Sequence, residues 1–143
     1  MKTRLILIVL ALSAGVSGCA MFGGGGGRNG TQSLAASAKQ PAAEGTVSFG
    51  EAKNGNTKVD LSVKHLASPD KLTPSESTYV VWTQRDTQAP PQNIGALQVD
   101  KDLTGTLNTV TPLRRFDLFI TAEPTAQTGK PTGEKQLWTS FSK

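Results

Sequence analysis

The side chains able to do chemistry are few and scattered. The chain of 143 residues holds one histidine, His65, and one cysteine, Cys19. A lone imidazole supplies neither a catalytic triad nor the several ligands of an ordinary metal site. His65, at the end of a strand-like run, therefore reads as a structural residue that its parity turns toward the core. The carboxylates pair no better. Asp117 and Glu123 share a strand face, but at roughly 3.3 Å per residue they stand about 20 Å apart, and glycoside hydrolysis uses about 5 to 9.5 Å. Asp86, Asp100 and Asp102 lie in or near turns, where Asp closes backbone hydrogen bonds, and a calcium ion on Asp100 and Asp102 would want more oxygens than that turn displays. Glu123, before Pro124, reads as a cap on a strand end. With no nucleophile beside a base, no enzyme is expected, and no metal or cofactor. Aromatic faces remain, since they stack on sugar rings or peptides. Trp82 is assigned to the core; Tyr79 and Trp138 are the candidate ligand-binding residues.

Cys19 points to a different chemistry. Lys2 and Arg4 precede an uncharged run over 5–16 rich in Leu, Ile, Val and Ala, the n-region and h-region of an export signal. The run is shorter than the roughly 18 to 20 apolar residues of a membrane span. Val16-Ser17-Gly18-Cys19 then resembles the bacterial lipobox. That resemblance implies removal of residues 1–18 and acylation of Cys19 by diacylglycerol and a further fatty acid such as palmitate, more than one chain being needed for stable anchoring. As the only cysteine, Cys19 can form no disulfide within the chain. Ala20 follows it, and in the enteric sorting pattern a residue other than Asp there directs a lipoprotein to the outer membrane. The expected location is the cell envelope, lipid-anchored at the periplasmic face of the outer membrane.

The formal charge of +4 belongs in part to the signal; without Lys2 and Arg4, 13 Lys and Arg face 11 Asp and Glu, a formal +2. No cluster in that balance resembles a nucleic-acid footprint. Arg114-Arg115 is the only basic pair, read as a solvated strand lead-in that an acidic partner or a lipid headgroup would suit. Residues 19–43, with Gly23 to Gly27 unbroken and then a Thr, Gln, Ser, Ala, Lys and Pro tract, lack the apolar content to order themselves and read as a disordered tether. The glycine run follows no strand and ends in no Gly-Lys-Ser/Thr, so it is no phosphate loop. About 100 residues remain, 44–143, enough for one domain.

Within 44–143 the period is two. Val59, Leu61 and Val63 alternate with Lys58, Asp60, Ser62 and Lys64, a strand with one dry and one wet face. Tyr79-Val80-Val81-Trp82 is apolar on both faces and therefore central. Asn54-Gly55 marks a hairpin turn, Pro69, Pro74, Pro90 and Pro91 break the irregular connections, and Leu137, Thr139 and Phe141 line one side of a last strand. The whole reads as an all-β, antiparallel, immunoglobulin-like β-sandwich of about seven strands without helices.

Tyr79-Val80-Val81-Trp82, then Pro91 with Ile94-Gly95, the turn from Asp100 to Gly105, Phe119-Ile120-Thr121-Ala122-Glu123-Pro124 and Lys130-Pro131-Thr132-Gly133 together resemble the extracytoplasmic domain of anti-sigma-K factors. The likeness covers roughly residue 61 to the C-terminus. It implies a sensor-like β-sandwich outside the cytoplasmic membrane, here without the sigma-binding and membrane-spanning parts. The expected function is a non-enzymatic envelope lipoprotein that displays an interaction module on a tether, touching membrane lipid through Cys19 and an envelope protein through the domain. The alternative is a carbohydrate- or peptidoglycan-binding module that uses Tyr79 and Trp138.

Overall fold

The computed structural model describes residues 30–142. Eight strands carry them: β1 (Thr31–Ala36), β2 (Glu44–Glu51), β3 (Thr57–Lys64), β4 (Thr78–Gln84), β5 (Gln92–Leu97), β6 (Gly105–Thr111), β7 (Arg115–Glu123) and β8 (Lys135–Ser142). The only helical pieces among the described residues are two single 3-10 turns, Lys53–Gly55 and Pro69–Lys71. Every pairing is antiparallel, and the spatial order is β5-β4-β7-β8-β1-β2-β3-β6. The all-β antiparallel class expected from the period-two pattern is what the chain adopts.

The eight strands form one sheet curled nearly into a barrel. β1 makes the turn possible by changing partners along its length: Thr31 to Leu34 pair with β2, and Ala35 and Ala36 pair with Trp138 and Leu137 of β8. The outer edges, β5 and β6, then face each other. Thr109 Oγ1 donates to the Ile94 carbonyl at 2.9 Å and a single bridge joins Val99 to Gly105, but no continuous ladder closes the seam.

Two apolar clusters result. Inside the curl pack Val47, Phe49, Val59, Leu61, Val63, Tyr79, Val81, Phe116, Leu118, Ile120 and Leu137, with an aromatic group of Phe49, Phe116 and Phe141 toward one end. On the opposite face of β4 and β7 lies a smaller cluster of Val80, Trp82 and Phe119. The double-sided burial of β4 is thus as its sequence implies, and Trp82 is fully enclosed, but outside the main core.

β1 is the correction to the domain boundary. The segment read as tether to residue 43 holds a strand, a buried Leu34, a buried Gln40 and a buried Ala43, so the domain includes β1 from Thr31 and does not begin at Glu44, and the described residues hold eight strands instead of about seven. One large apolar residue in six gives no readable period; β1 is a strand because it is paired on both sides, and because Gly45 leaves room for Leu34. A Cβ on Gly45 would stand 3.0 Å from Leu34 Cβ and 3.0 Å from Leu137 Cδ2.

His65 is the second correction. It is exposed, with φ at 55°, and this left-handed step ends β3 and lets Leu66 take the buried place that strand parity assigns to His65.

Candidate functional site

The register defines two ends. One gathers the β2–β3, β4–β5 and β6–β7 connections together with the start of β1 and the end of β8; the other gathers the segments 37–43, 65–77, 98–104 and 124–134. The second end carries a cleft of about 590 Å³.

One residue positions both walls of that cleft. Glu123, at the end of β7, is fully buried. Its backbone carbonyl accepts from Ser77 N at 3.1 Å, which fixes the wall formed by residues 71–76. Its carboxylate accepts from Thr132 N at 2.9 Å, from Gly133 N at 3.2 Å and from the Thr132 hydroxyl, which fixes the wall formed by 132–136. Burial pushes the Glu123 carboxyl up, but these donors together with Thr121 Oγ1 outweigh it and hold the group below the ordinary glutamate range. Glu123 therefore does cap the strand end, as its place before Pro124 implies, and it is structural ion rather than general acid. Gly133 is required by the same packing, because a Cβ there would meet the Ala122 carbonyl oxygen at 2.2 Å.

Leu72, Pro74 and Ala122 give the cleft apolar surface; Lys39, Lys71, Glu76 and Glu134 give it charge of both signs. Lys39 Nζ reaches Glu134 at 2.7 Å, an exposed pair worth little to stability. Gln136 lines the cleft from a β-bulge: Ile120 pairs with Leu137 and Thr121 with Lys135, which leaves Gln136 as the extra residue. Its Nε2 donates to the Glu134 carbonyl at 3.1 Å, while its buried Oε1, like Ser37 Oγ nearby, has no partner among the described residues. The cleft is thus a concave surface of mixed polarity.

The expected aromatic platform is not assembled. Tyr79 is fully buried. Its hydroxyl donates to the Ala67 carbonyl at 2.6 Å and accepts from Gln40 Nε2 at 3.0 Å, while Gln40 Oε1 accepts from Ala67 N at 3.2 Å. This knot ties the β1–β2 connection to the β3–β4 connection. Burial pushes the Tyr79 phenol up to about 12, the Gln40 bond opposing it. The reading of Tyr79 as a ligand-binding residue is thus corrected: its parity on β4 points it into the curl, where Gln40, which sequence gives no reason to place there, satisfies the hydroxyl.

Trp138 does face solvent, at 40% exposure, opposite Phe119 of β7 and Ala35 of β1. Phe119 itself is covered by Trp82, stacked at 6.5 Å, and by Lys135 Nζ, 4.3 Å above its ring. Trp138 is therefore a single exposed ring and not half of a pair. Asp100 behaves as a turn residue, Oδ1 accepting from Asp102 N and Thr104 N, each at 2.9 Å. Among the described residues no group of three or more His, Cys, Asp or Glu could hold a metal ion, and no helix is long and apolar enough to cross a membrane. Cys19 lies outside the described residues.

Missed in the sequence were Gln40, Gln136 and the Lys39–Glu134 pair. Nothing local distinguishes these residues, because their roles arise only from partners distant in sequence: Tyr79 and Ala67 for Gln40, and the junction of β1 with β8 for Gln136 and the Lys39–Glu134 pair. No family model matches the chain, and no curated protein sequence matches it.

Proposed function

We propose that this protein is a non-enzymatic, lipid-anchored envelope protein whose β-domain works by binding, through the cleft between segments 71–76 and 132–136. The observation that carries this reading is the attachment of both cleft walls to Glu123. A cleft whose walls are fixed at one buried residue, by its backbone carbonyl on one side and its carboxylate on the other, is a preformed surface, and preformed surfaces bind at low ordering cost. The resemblance to the anti-sigma-K extracytoplasmic domain, an immunoglobulin-like sandwich, supports it further: Trp82, Thr121, Glu123 and Thr132, all within the resembling motifs, form one hydrogen-bonded unit behind the cleft. In the two-layer description β1 is the strand that passes from one layer to the other.

The test is a photo-crosslinking residue placed at Thr73, on the cleft rim, and separately at Val110, which is exposed on β6. In intact cells the Thr73 probe should trap a discrete adduct that Val110 does not, and Glu123→Ala should abolish it. Equal labelling from both positions would sink the cleft assignment. Anchoring is tested separately: Cys19→Ala should release the protein from membranes into the soluble envelope fraction, and retention with membranes would contradict it.

The exposed Trp138 keeps a second reading open, a glycan-binding face on β8. Quenching of its fluorescence by soluble peptidoglycan fragments, lost in Trp138→Ala, would favour that face over the cleft.

A further inference from the structure

All three arginines among the described residues lie at the other end of the barrel. Arg85 follows β4, and Arg114 and Arg115 stand where β6 turns into β7. They line an open concavity of about 560 Å³ with Asp86, Pro112 and Leu113. Arg114 Nη2 would stand 2.6 Å from a Cβ on Gly55, so its guanidinium lies across the tip of the β2–β3 turn, the turn that also carries the exposed Lys53. The ion pairs among the described residues use lysines only, and none of the three guanidinium groups has an ion pair or side-chain hydrogen bond there. Asp86, the carboxylate in the concavity, is engaged by its own turn: its Oδ1 accepts from Gln88 N at 2.9 Å and Ala89 N at 3.0 Å. Guanidinium forks match phosphate oxygens in pairs, so three of them with one carboxylate, Asp86, and no ion pair between them make a net cationic surface complementary to phosphate.

A second observation says where such phosphates lie. Thr31 pairs with Ser48 and Leu34 with Gly45, so the chain enters β1 from the side of the β2–β3 turn, the arginine end. Cys19 precedes Gly30 by eleven residues. At no more than roughly 3.6 Å per residue that length spans at most about 40 Å.

We propose that the arginine end is a membrane-docking surface, on which Arg85, Arg114 and Arg115 seat the phosphates of anionic phospholipids in the leaflet that holds the Cys19 lipid. The barrel then stands on the membrane with its cleft directed away from it. This orientation rests on anchoring through Cys19, whereas the contact itself is measured without that lipid. The electrostatic contribution is about fivefold in partitioning per arginine near an anionic surface.

The experiment uses the chain from residue 20, which holds all eight strands and both apolar clusters and no cysteine. Sedimentation with vesicles of phosphatidylcholine alone, and of phosphatidylcholine mixed with phosphatidylglycerol, should show binding only to the anionic vesicles, reversed as salt rises from about 0.1 M to about 0.5 M. Replacing Arg85, Arg114 and Arg115 together by Gln should weaken it about a hundredfold. Replacing Lys39, Lys64 and Lys71 by Gln removes the same charge from the opposite end and should change it by less than about threefold. Circular dichroism and urea midpoints of both variants establish that they are folded. Equal loss in the two triple variants, or no preference for phosphatidylglycerol, overturns the proposal. So does tight binding of inorganic phosphate that the arginine variant loses without any vesicle binding, which would assign a small-anion site instead. Failure of Cys19→Ala to release the protein leaves these vesicle outcomes unaffected, so the two readings fail separately.

Discussion

The indole N–H of Trp82 donates to Thr121 Oγ1 at 2.9 Å across β4 and β7, and Thr121 Oγ1 donates in turn to Glu123 Oε1 at 2.5 Å. A buried aromatic and a buried carboxylate are thereby linked through one hydroxyl. Because both cleft walls hang on Glu123, the outer cluster around Trp82 and the geometry of the cleft are parts of one unit.

Trp82→Ala removes a fully enclosed ring and leaves Thr121 without its donor. The expected cost is about 3 to 5 kcal/mol, against a total margin of about 5 to 15 kcal/mol for a domain of this size. Trp138→Ala, on an exposed face, should cost less than about 1 kcal/mol. Urea unfolding of the two variants side by side checks the contrast, and similar losses would contradict the burial described for Trp82.

Glu123→Gln keeps the shape but weakens every acceptor bond from Thr121, Thr132 and Gly133. The sign of the pH effect follows from the direction of the shift. Since the folded carboxyl sits below the ordinary glutamate range, its stabilisation is complete above that range and is lost as pH falls through the folded value. Acid unfolding of the wild-type chain should therefore be steeper than that of Glu123→Gln, with the gap between the two closing at low pH. Parallel curves would refute the role of the ion.

Tyr79 is the only tyrosine, so its ionisation can be followed by absorbance without ambiguity. In the folded chain the phenol should titrate at about 12 instead of 10.0. Here the neutral form is the one the fold favours. Its contribution is present below the unfolded value and lost as pH rises through the folded one, at up to about 1.4 kcal/mol per pH unit. Tyr79→Phe should remove that alkaline slope.

A chain beginning at Glu44 loses β1, Leu34 and the Gln40 contact with Tyr79. Loss of a buried leucine alone costs about 2 to 5 kcal/mol, and β2 and β8 would each be left with an open edge. Such a chain should be unfolded or aggregated, whereas one beginning at Gly30 should match the mature chain in its urea midpoint. Equal midpoints for the two truncations would show that β1 is dispensable.

Gly133→Ala forces a methyl group onto the Ala122 carbonyl at the point where the cleft wall meets β7. The wall must shift, and a cost of about 1 to 3 kcal/mol, the range for overpacking, should appear with faster proteolysis in 124–134. An unchanged midpoint and cleavage pattern would argue against the close approach.

Alternation in residues 57–64, the doubly apolar run 79–82, and the proline and glycine breaks between runs determined the all-β class, because burial on one or both faces of a strand is written locally at a period of two. Glu123 as a strand-end cap was legible from its place before Pro124, where the ladder must stop. Only the tertiary structure decided the rest. β1 has no apolar period and becomes a strand by being paired on both sides. His65 departs from parity through one left-handed residue. Tyr79 leaves the candidate site because Gln40, far away in sequence, meets its hydroxyl inside the curl. Arg85 joins Arg114 and Arg115 because β4 and β7 are neighbours, which the spacing of those residues along the chain does not show. Local patterning records whether a residue is buried; which residues become its neighbours depends on strand order and register, and these are set by contacts among segments distant in sequence.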